Sequence, residues 1–196
     1  MDKHEIRRKI WSSLEEKEIT DFPRPCFGRI PNFKGARSVS DKIKRLSEFK
    51  KATCVFCAPD IVLKRIREIV LEEGKVLAVA LPHIKDIVEI RERKDIRVAT
   101  TIKGFAKYGK PLKTTIDLFV QGSVAVDRNG NRLGKGKGYG DKEYSILKER
   151  GLLQKDVKVV TIVHDLQIVD DMSNLMGQWD IKVDYILTNR EIIKRT

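Results

Sequence analysis

Long apolar runs are missing from this chain. The longest, "VLAVALP" and "KVVTIVH", are far too short to span a bilayer, so no membrane partner is expected. An apolar leader is missing too. "MDKHEIRRKIW" places charges where a signal peptide needs an apolar core, and the expectation is a cytoplasmic protein. Cysteine is scarce, with three in 196 residues, which fits a reducing compartment better than a disulfide framework. Cys54 and Cys57 have the spacing of a zinc or redox motif, but there is no second cysteine pair and only three histidines are scattered along the chain. A closed four-ligand zinc site therefore cannot be assembled from this spacing. The stretch "ATCVFCAP" reads instead as a buried strand in which cysteine serves as a small apolar residue.

Charge is abundant and unbalanced. The chain has 40 Lys+Arg against 28 Asp+Glu, a formal +12. Such an excess favours anionic partners, whether nucleic acid, nucleotides or polyanionic cofactors. The charge is spread along the chain without a basic tail, which weakens the case for a dedicated nucleic-acid arm. The hydrophobic fraction of 41% is enough for a sizeable core in a single domain, residues 1–196.

No internal repeat or low-complexity segment is present. The opening "DKHEIRRKIWSSLEEKE" places Ile6, Ile10, Trp11 and Leu14 at helical spacing. Residues 20–37 carry three prolines and two glycines within "DFPRPCFGRIPNFKGA" and read as an ordered arm. Phe22, Phe27 and Phe33 are expected to pack that arm against the body. "SVSDKIKRLSEFKKA" reads as a second helix with Ser40 as its cap. From there apolar strands alternate with amphipathic helices: "TCVFCAP", "DIVLKRIREIVLEEG", "KVLAVALP", later "TIDLFVQGSVAVD" broken near Gly122, a helix from about Lys142 to Arg150, "VKVVTIVH" and "VDYILT". The alternation predicts a three-layer α/β/α fold with a largely parallel sheet. Lys85 to Lys113 shows no clear period. In open α/β sheets ligands collect at the carboxyl ends of strands, which directs attention to Asp127–Asp141 and His164–Gln167.

The segment "RLGKGKGYGDKE", Arg132 to Glu143, alternates glycine with lysine ahead of a helix. Glycine lets backbone amides approach phosphate oxygens, and the helix N-terminus adds partial positive charge. Arg132, Lys135 and Lys137 supply cations, and Asp141 supplies an oxygen suited to Mg²⁺. The spacing is neither the G-x-x-x-x-G-K-S/T of a P-loop nor a dinucleotide fingerprint. On these residues alone, a phosphate cradle and a solvated basic turn both stand.

"DRNGNRLGKGKGYGD" resembles the signature of the 5-formyltetrahydrofolate cyclo-ligase (methenyltetrahydrofolate synthetase) family, roughly D-x-x-G-x-R-L-G-x-G-x-G-Y-Y-D. Lys3 and Arg7 match the family's K-x-x-L/I-R. "EEGKVLAVALP", "IDLFVQG" and "WDIKVDYILT" are similar to its further elements, in the expected order. "FPRPCFGRIPNFKGA", "GSVAVD" and "VVTIVHDLQIVD" look most like the methenyltetrahydrofolate synthetase domain-containing subgroup. The resemblance implies ATP and Mg²⁺ as cofactors and a formylated reduced pterin as substrate. It implies ATP binding by Lys3, Arg7, Arg132, Leu133, Gly134, Lys135, Gly136, Lys137, Gly138, Tyr139 and Gly140. Lys135, Lys137 and Tyr139 would also border the pterin where phosphoryl transfer occurs, and Asp141 and Asp180 would hold the metal. The departures fall on the substrate side. Gly140 stands for the family's second tyrosine, Gln121 or Gly122 for a proline, and "KGFAKYGKPLKTT" lacks a counterpart of the family's folate-contacting glutamate segment.

Quieter roles are expected elsewhere. His164 reads as a local hydrogen-bonding residue, and Trp11 and Trp179 as packing residues. A non-catalytic module that binds nucleotide or nucleic acid is the alternative to an enzyme. Metal carboxylates beside a phosphate cradle argue against nucleic acid, because they repel its backbone.

Overall fold

The computed structural model describes residues 1–195. Its first helix, α1 (Lys3–Glu16), starts where Asp2 and Glu5 form a reciprocal capping box, satisfying two otherwise orphaned amides. Ile6, Ile10, Trp11 and Leu14 form its buried face. The arm that follows is tied down at Thr20 and Phe33 by an isolated bridge. Of its aromatics, only Phe33 is buried; Phe22 is 74% exposed and Phe27 49% exposed. Phe27 does meet Trp11 edge-on at 6.3 Å. Trp11 is a packing residue as expected, but Trp179 is 74% exposed, contrary to the packing role its sequence suggests.

The predicted second helix is broken into pieces: α2 (Ala36–Asp41), a 3₁₀ turn over Lys42–Arg45, and α3 (Ser47–Lys51). Ser40 is not a cap. It lies inside α2, fully buried, and donates its hydroxyl to the Ala36 carbonyl at 2.8 Å. The helix begins instead after Gly35, which takes a left-handed φ of 88°. Back-bonding of serine to the preceding turn competes with regular helix geometry, consistent with the early break.

The strands are β1 (Cys54–Cys57), β2 (Val76–Ala80), β3 (Ile87–Ile90), β4 (Lys110–Pro111), β5 (Ile116–Gly122), β6 (Ala125–Val126), β7 (Arg132–Leu133), β8 (Leu153–Ile162), β9 (Tyr185–Leu187) and β10 (Ile192–Lys194). Among the described residues the main sheet runs β10-β9-β8-β5-β1-β2-β3-β4, with β6 and β7 forming a separate hairpin. The five inner strands from β9 to β2 are parallel, and β10, β3 and β4 are antiparallel additions. The sheet is therefore largely parallel, as the alternation predicts. The stretch without a clear period contains β3, α5 (Ile96–Ala99), α6 (Ile102–Tyr108) and β4. These elements are too short for a period to declare itself.

Cys54 and Cys57 are completely buried in β1. Burial pushes both thiols up to about 12, which disfavours the reactive thiolate at neutral pH. Cys57 faces α4 (Lys64–Glu72), with its thiol directed to the Leu63 carbonyl. Phe56 faces the opposite way and stacks on Phe119 of β5 at 4.3 Å. Phe119 in turn meets Tyr144 of α7 (Tyr139–Glu149) edge-on.

This arrangement fixes where a ligand can sit. From β1 the chain passes through α4 to β2 on one side; from β5 it passes through α7 to β8 on the other. Both crossovers being right-handed, α4 and α7 must cover opposite faces, giving the three layers. The winding reverses between the neighbours β1 and β5, and a crevice opens outside their carboxyl ends. A second apolar cluster, built from α1, Val124, Ala125, Leu133 and Met172, seats α1 and the β6–β7 hairpin over that crevice.

Candidate active site

A cleft of about 410 Å³ occupies this switch point. It gathers residues from six parts of the chain: α1, Ile30 of the arm, the loop after β1, the end of β5, the segment from Arg132 into α7, and Asp180. Every residue expected at the nucleotide and metal site, from Lys3 and Arg7 through Arg132–Asp141 to Asp180, lines it. His164 does not. Its Nδ1 accepts the Leu166 amide in a local cap, as its sequence context suggests.

Gly136 and Gly138 take φ values of 102° and 65°, a region that side chains strongly disfavour. Gly138 then starts α7, whose first turn has no side-chain cap. Its first-turn residues line the cleft, and uncapped amides at a helix start are suited to an anion. Arg7 reaches over from α1 and donates its Nε to the Gly134 carbonyl at 2.7 Å. Burial, and then the neighbouring Arg132 charge, lower the Arg7 pKa from its usual value. Two guanidiniums held this close together favour an anion between them.

Arg132 is more than a cation on a loop. Its side chain is 5% exposed. One terminal nitrogen donates to the Gly122 carbonyl at 2.8 Å and the other reaches Asp141 Oδ1 at 3.4 Å. It therefore clamps the end of β5 to the start of α7. Lys3 Nζ pairs with Asp180 Oδ2 at 2.7 Å. Partial burial works against ionisation of Asp180, but hydrogen bonds from Lys3 and the Gly177 amide outweigh it and hold the carboxyl below its usual range.

Two acidic residues in the cleft escape a motif-based reading. Asp60 follows β1, and burial raises its pKa despite the charges of Lys135, Arg67 and Arg132. Glu143, in α7, is 4% exposed. Burial first, and the Asp60 charge second, push its carboxyl up to about 8. A sequence signal for Glu143 existed: it shares the buried face of α7 with Leu147, four residues on, which is unusual for glutamate.

A model of the 5-formyltetrahydrofolate cyclo-ligase family matches residues 1–189. The chain belongs to that family. It is 40% identical over 204 residues to the methenyltetrahydrofolate synthase domain-containing proteins of Bos taurus and Homo sapiens, covering 98% of this chain and 54% and 53% of theirs. The chain thus spans about half the length of these curated relatives. Among solved structures, the 5,10-methenyltetrahydrofolate synthetase of Aquifex aeolicus superposes with a TM-score of 0.60 at 22% identity, over 100% of this chain and 93% of that one. The synthetase of Mycoplasma pneumoniae gives 0.57 at 16%, covering 95% and 98%. At those identities the two structures speak to the fold.

Within this cyclo-ligase framework, the two departures noted at Gly140 and Gln121 are one device. Gln121 Nε2 donates to the Gly140 carbonyl at 2.8 Å. A Cβ on residue 140 would lie 2.9 Å from that nitrogen and 3.2 Å from the Arg132 guanidinium. A side chain at 140 and the present Gln121 rotamer are thus incompatible. Gly140→Ala is expected to cost about 1 kcal/mol by displacing this hydrogen bond. In a Gln121→Ala background the same change should cost much less, and a double-mutant cycle by urea denaturation measures the coupling.

The carboxylates fit a hard divalent cation. Asp141 and Asp180 each commit one oxygen, Asp141 Oδ1 to Arg132 and the Ile181 amide, Asp180 Oδ2 to Lys3 and the Gly177 amide. The other oxygen of each has no partner among the described residues. No cluster of three metal-ligating side chains occurs among the described residues. Two carboxylates completed by phosphate and water are the ordinary mode for Mg²⁺.

Proposed function

We propose that this domain is an ATP- and Mg²⁺-dependent cyclo-ligase. It converts 5-formyltetrahydrofolate, or a related formylated reduced pterin, to the 5,10-methenyl form and releases ADP and phosphate. The observation that carries the reading is the convergence, at one switch-point cleft, of an uncapped helix N-terminus, a cationic glycine loop and two half-committed carboxylates.

In this reading the formyl oxygen attacks the γ-phosphorus of ATP. The neighbouring amine of the substrate then closes on the activated carbon, its proton is lost, and the former formyl oxygen leaves with phosphate. Such a reaction asks the protein chiefly for positioning and for neutralisation of spreading negative charge. The amides of the Gly138–Tyr139 turn and the cations of Arg7, Lys135 and Lys137 serve the phosphates. Tyr139, half-buried at the loop's end, borders the reacting atoms. Asp141 and Asp180 hold Mg²⁺, which when bound offsets charge on the phosphoryl oxygens.

The test is the absorbance of the methenyl product, with 5-formyltetrahydrofolate, Mg²⁺ and ATP supplied to the purified protein. ATP-dependent growth of the band is expected in the wild type, with none in Asp141→Asn. Millimolar Mg-ATP should also raise the melting temperature through linkage. A flat trace with no melting shift would sink the reading.

A further inference from the structure

The floor of the cleft holds hydrogen-bonding capacity that the protein itself leaves unused. Glu143 lines the cleft and is 4% exposed, yet only burial and through-space charges act on its carboxyl, with no hydrogen-bond partner among the described residues. Gln121 is 1% exposed. Its Nε2 donates to the Gly140 carbonyl, while its Oε1 is buried without a partner. Proteins rarely leave such groups unsatisfied, and here both border the same cavity.

Their chemistry selects the ligand group that completes them. Gln121 presents its unpartnered Oε1 as an acceptor, and the Glu143 carboxyl keeps an acceptor oxygen whether or not it carries its proton. Phosphate has no donors to give these acceptor oxygens, so it would leave Gln121 Oε1 unpaired. The cations Arg7, Lys135 and Lys137 line the same cleft and are the groups suited to phosphates. The complement of an acceptor pair is a planar edge carrying adjacent N–H donors, such as an exocyclic amino group beside a ring N–H.

We propose that Glu143 and Gln121 form a specificity subsite for the amino and ring N–H edge of the substrate's 2-amino-4-oxopyrimidine ring. The identity of that ring rests on the cyclo-ligase reading. The acceptor floor replaces the wall that an aromatic side chain at residue 140 would provide, which the Gln121–Gly140 contact excludes. A site built to pair a donor rejects the analogue lacking it, because its own buried acceptors then stay empty.

The experiment compares 5-formyltetrahydrofolate with its 2-desamino analogue, by calorimetric binding in the presence of Mg²⁺ and a non-hydrolysable ATP analogue and by turnover with ATP. The wild type should prefer the amino compound by at least about ten-fold. Glu143→Ala should reduce the preference to near unity, and Glu143→Gln, which keeps an acceptor, should recover part of it. Both variants should keep the Mg-ATP melting shift, which also reports that they fold. Equal use of the two compounds by wild type, or unchanged discrimination in Glu143→Ala, overturns the subsite while leaving the cyclo-ligase reading intact. Neither binding nor turnover of either compound by the wild type overturns both.

Discussion

Arg132→Met is expected to lower ATP-dependent methenyl formation by roughly 10³-fold, on the scale of losing a charge-stabilising donor in an enclosed site. It should also destabilise the fold by about 3 kcal/mol, the lower end of the cost of breaking a buried charged pair. The second effect distinguishes this arginine from a simple phosphate ligand. Its guanidinium joins the Gly122 carbonyl to Asp141 and provides positive charge next to Asp60 and Glu143. Methionine keeps most of the volume and removes the charge together with both contacts. Arg132→Lys should fall between, because an ammonium cannot span two acceptors as a planar fork does. Urea denaturation and the absorbance assay measure the two effects separately. Unchanged stability with lost ATP affinity would reduce Arg132 to a loop cation.

Arg67→Met should be the most damaging single change away from the cleft. Arg67 is 2% exposed. It donates to the carbonyls of Thr100 at 3.1 Å, Ala58 at 2.6 Å and Asp60 at 2.9 Å, and it lies 5.7 Å from the Phe105 ring centre. Methionine would leave three carbonyls without their donor. A loss of about 3–5 kcal/mol is expected, or about 10 °C in melting temperature for a chain of this size. Because two of those carbonyls belong to the loop carrying Asp60, turnover should fall as well. A melt within two or three degrees of wild type, taken as an order-of-magnitude bound, would show that water or neighbouring groups satisfy the loop.

These two residues mark what the sequence could and could not disclose. Arg132 sits inside the glycine-rich motif, so its place in the cleft was legible; that it is a strut was not, because its partner carbonyl ends a different strand. Arg67 reads as one charge among several on an amphipathic helix. Only the crossover from β1 shows that it points inward at three carbonyls. The largely parallel sheet follows from alternation of apolar runs and helices, which is local information; the order of its strands comes only from the structure. The interruption at Ser40 and the exposure of Phe22 and Trp179 depend on packing against remote segments, which local spacing does not encode. The start of α7 at Tyr139, three residues ahead of its expected start at Lys142, is part of the same lesson. Glycines that look like loop residues are the ones that bring the helix N-terminus to the cleft.

The antiparallel additions at the two margins of the sheet have a consequence for the folded protein at high concentration. One margin is the two-residue strand β4, made of Lys110 and Pro111, both exposed. The other is β10, three residues ending in Lys194. A proline cannot donate to an incoming strand, and a lysine resists a like-charged neighbour copy. Both margins are short among the described residues, so each disfavours addition of a strand from another copy.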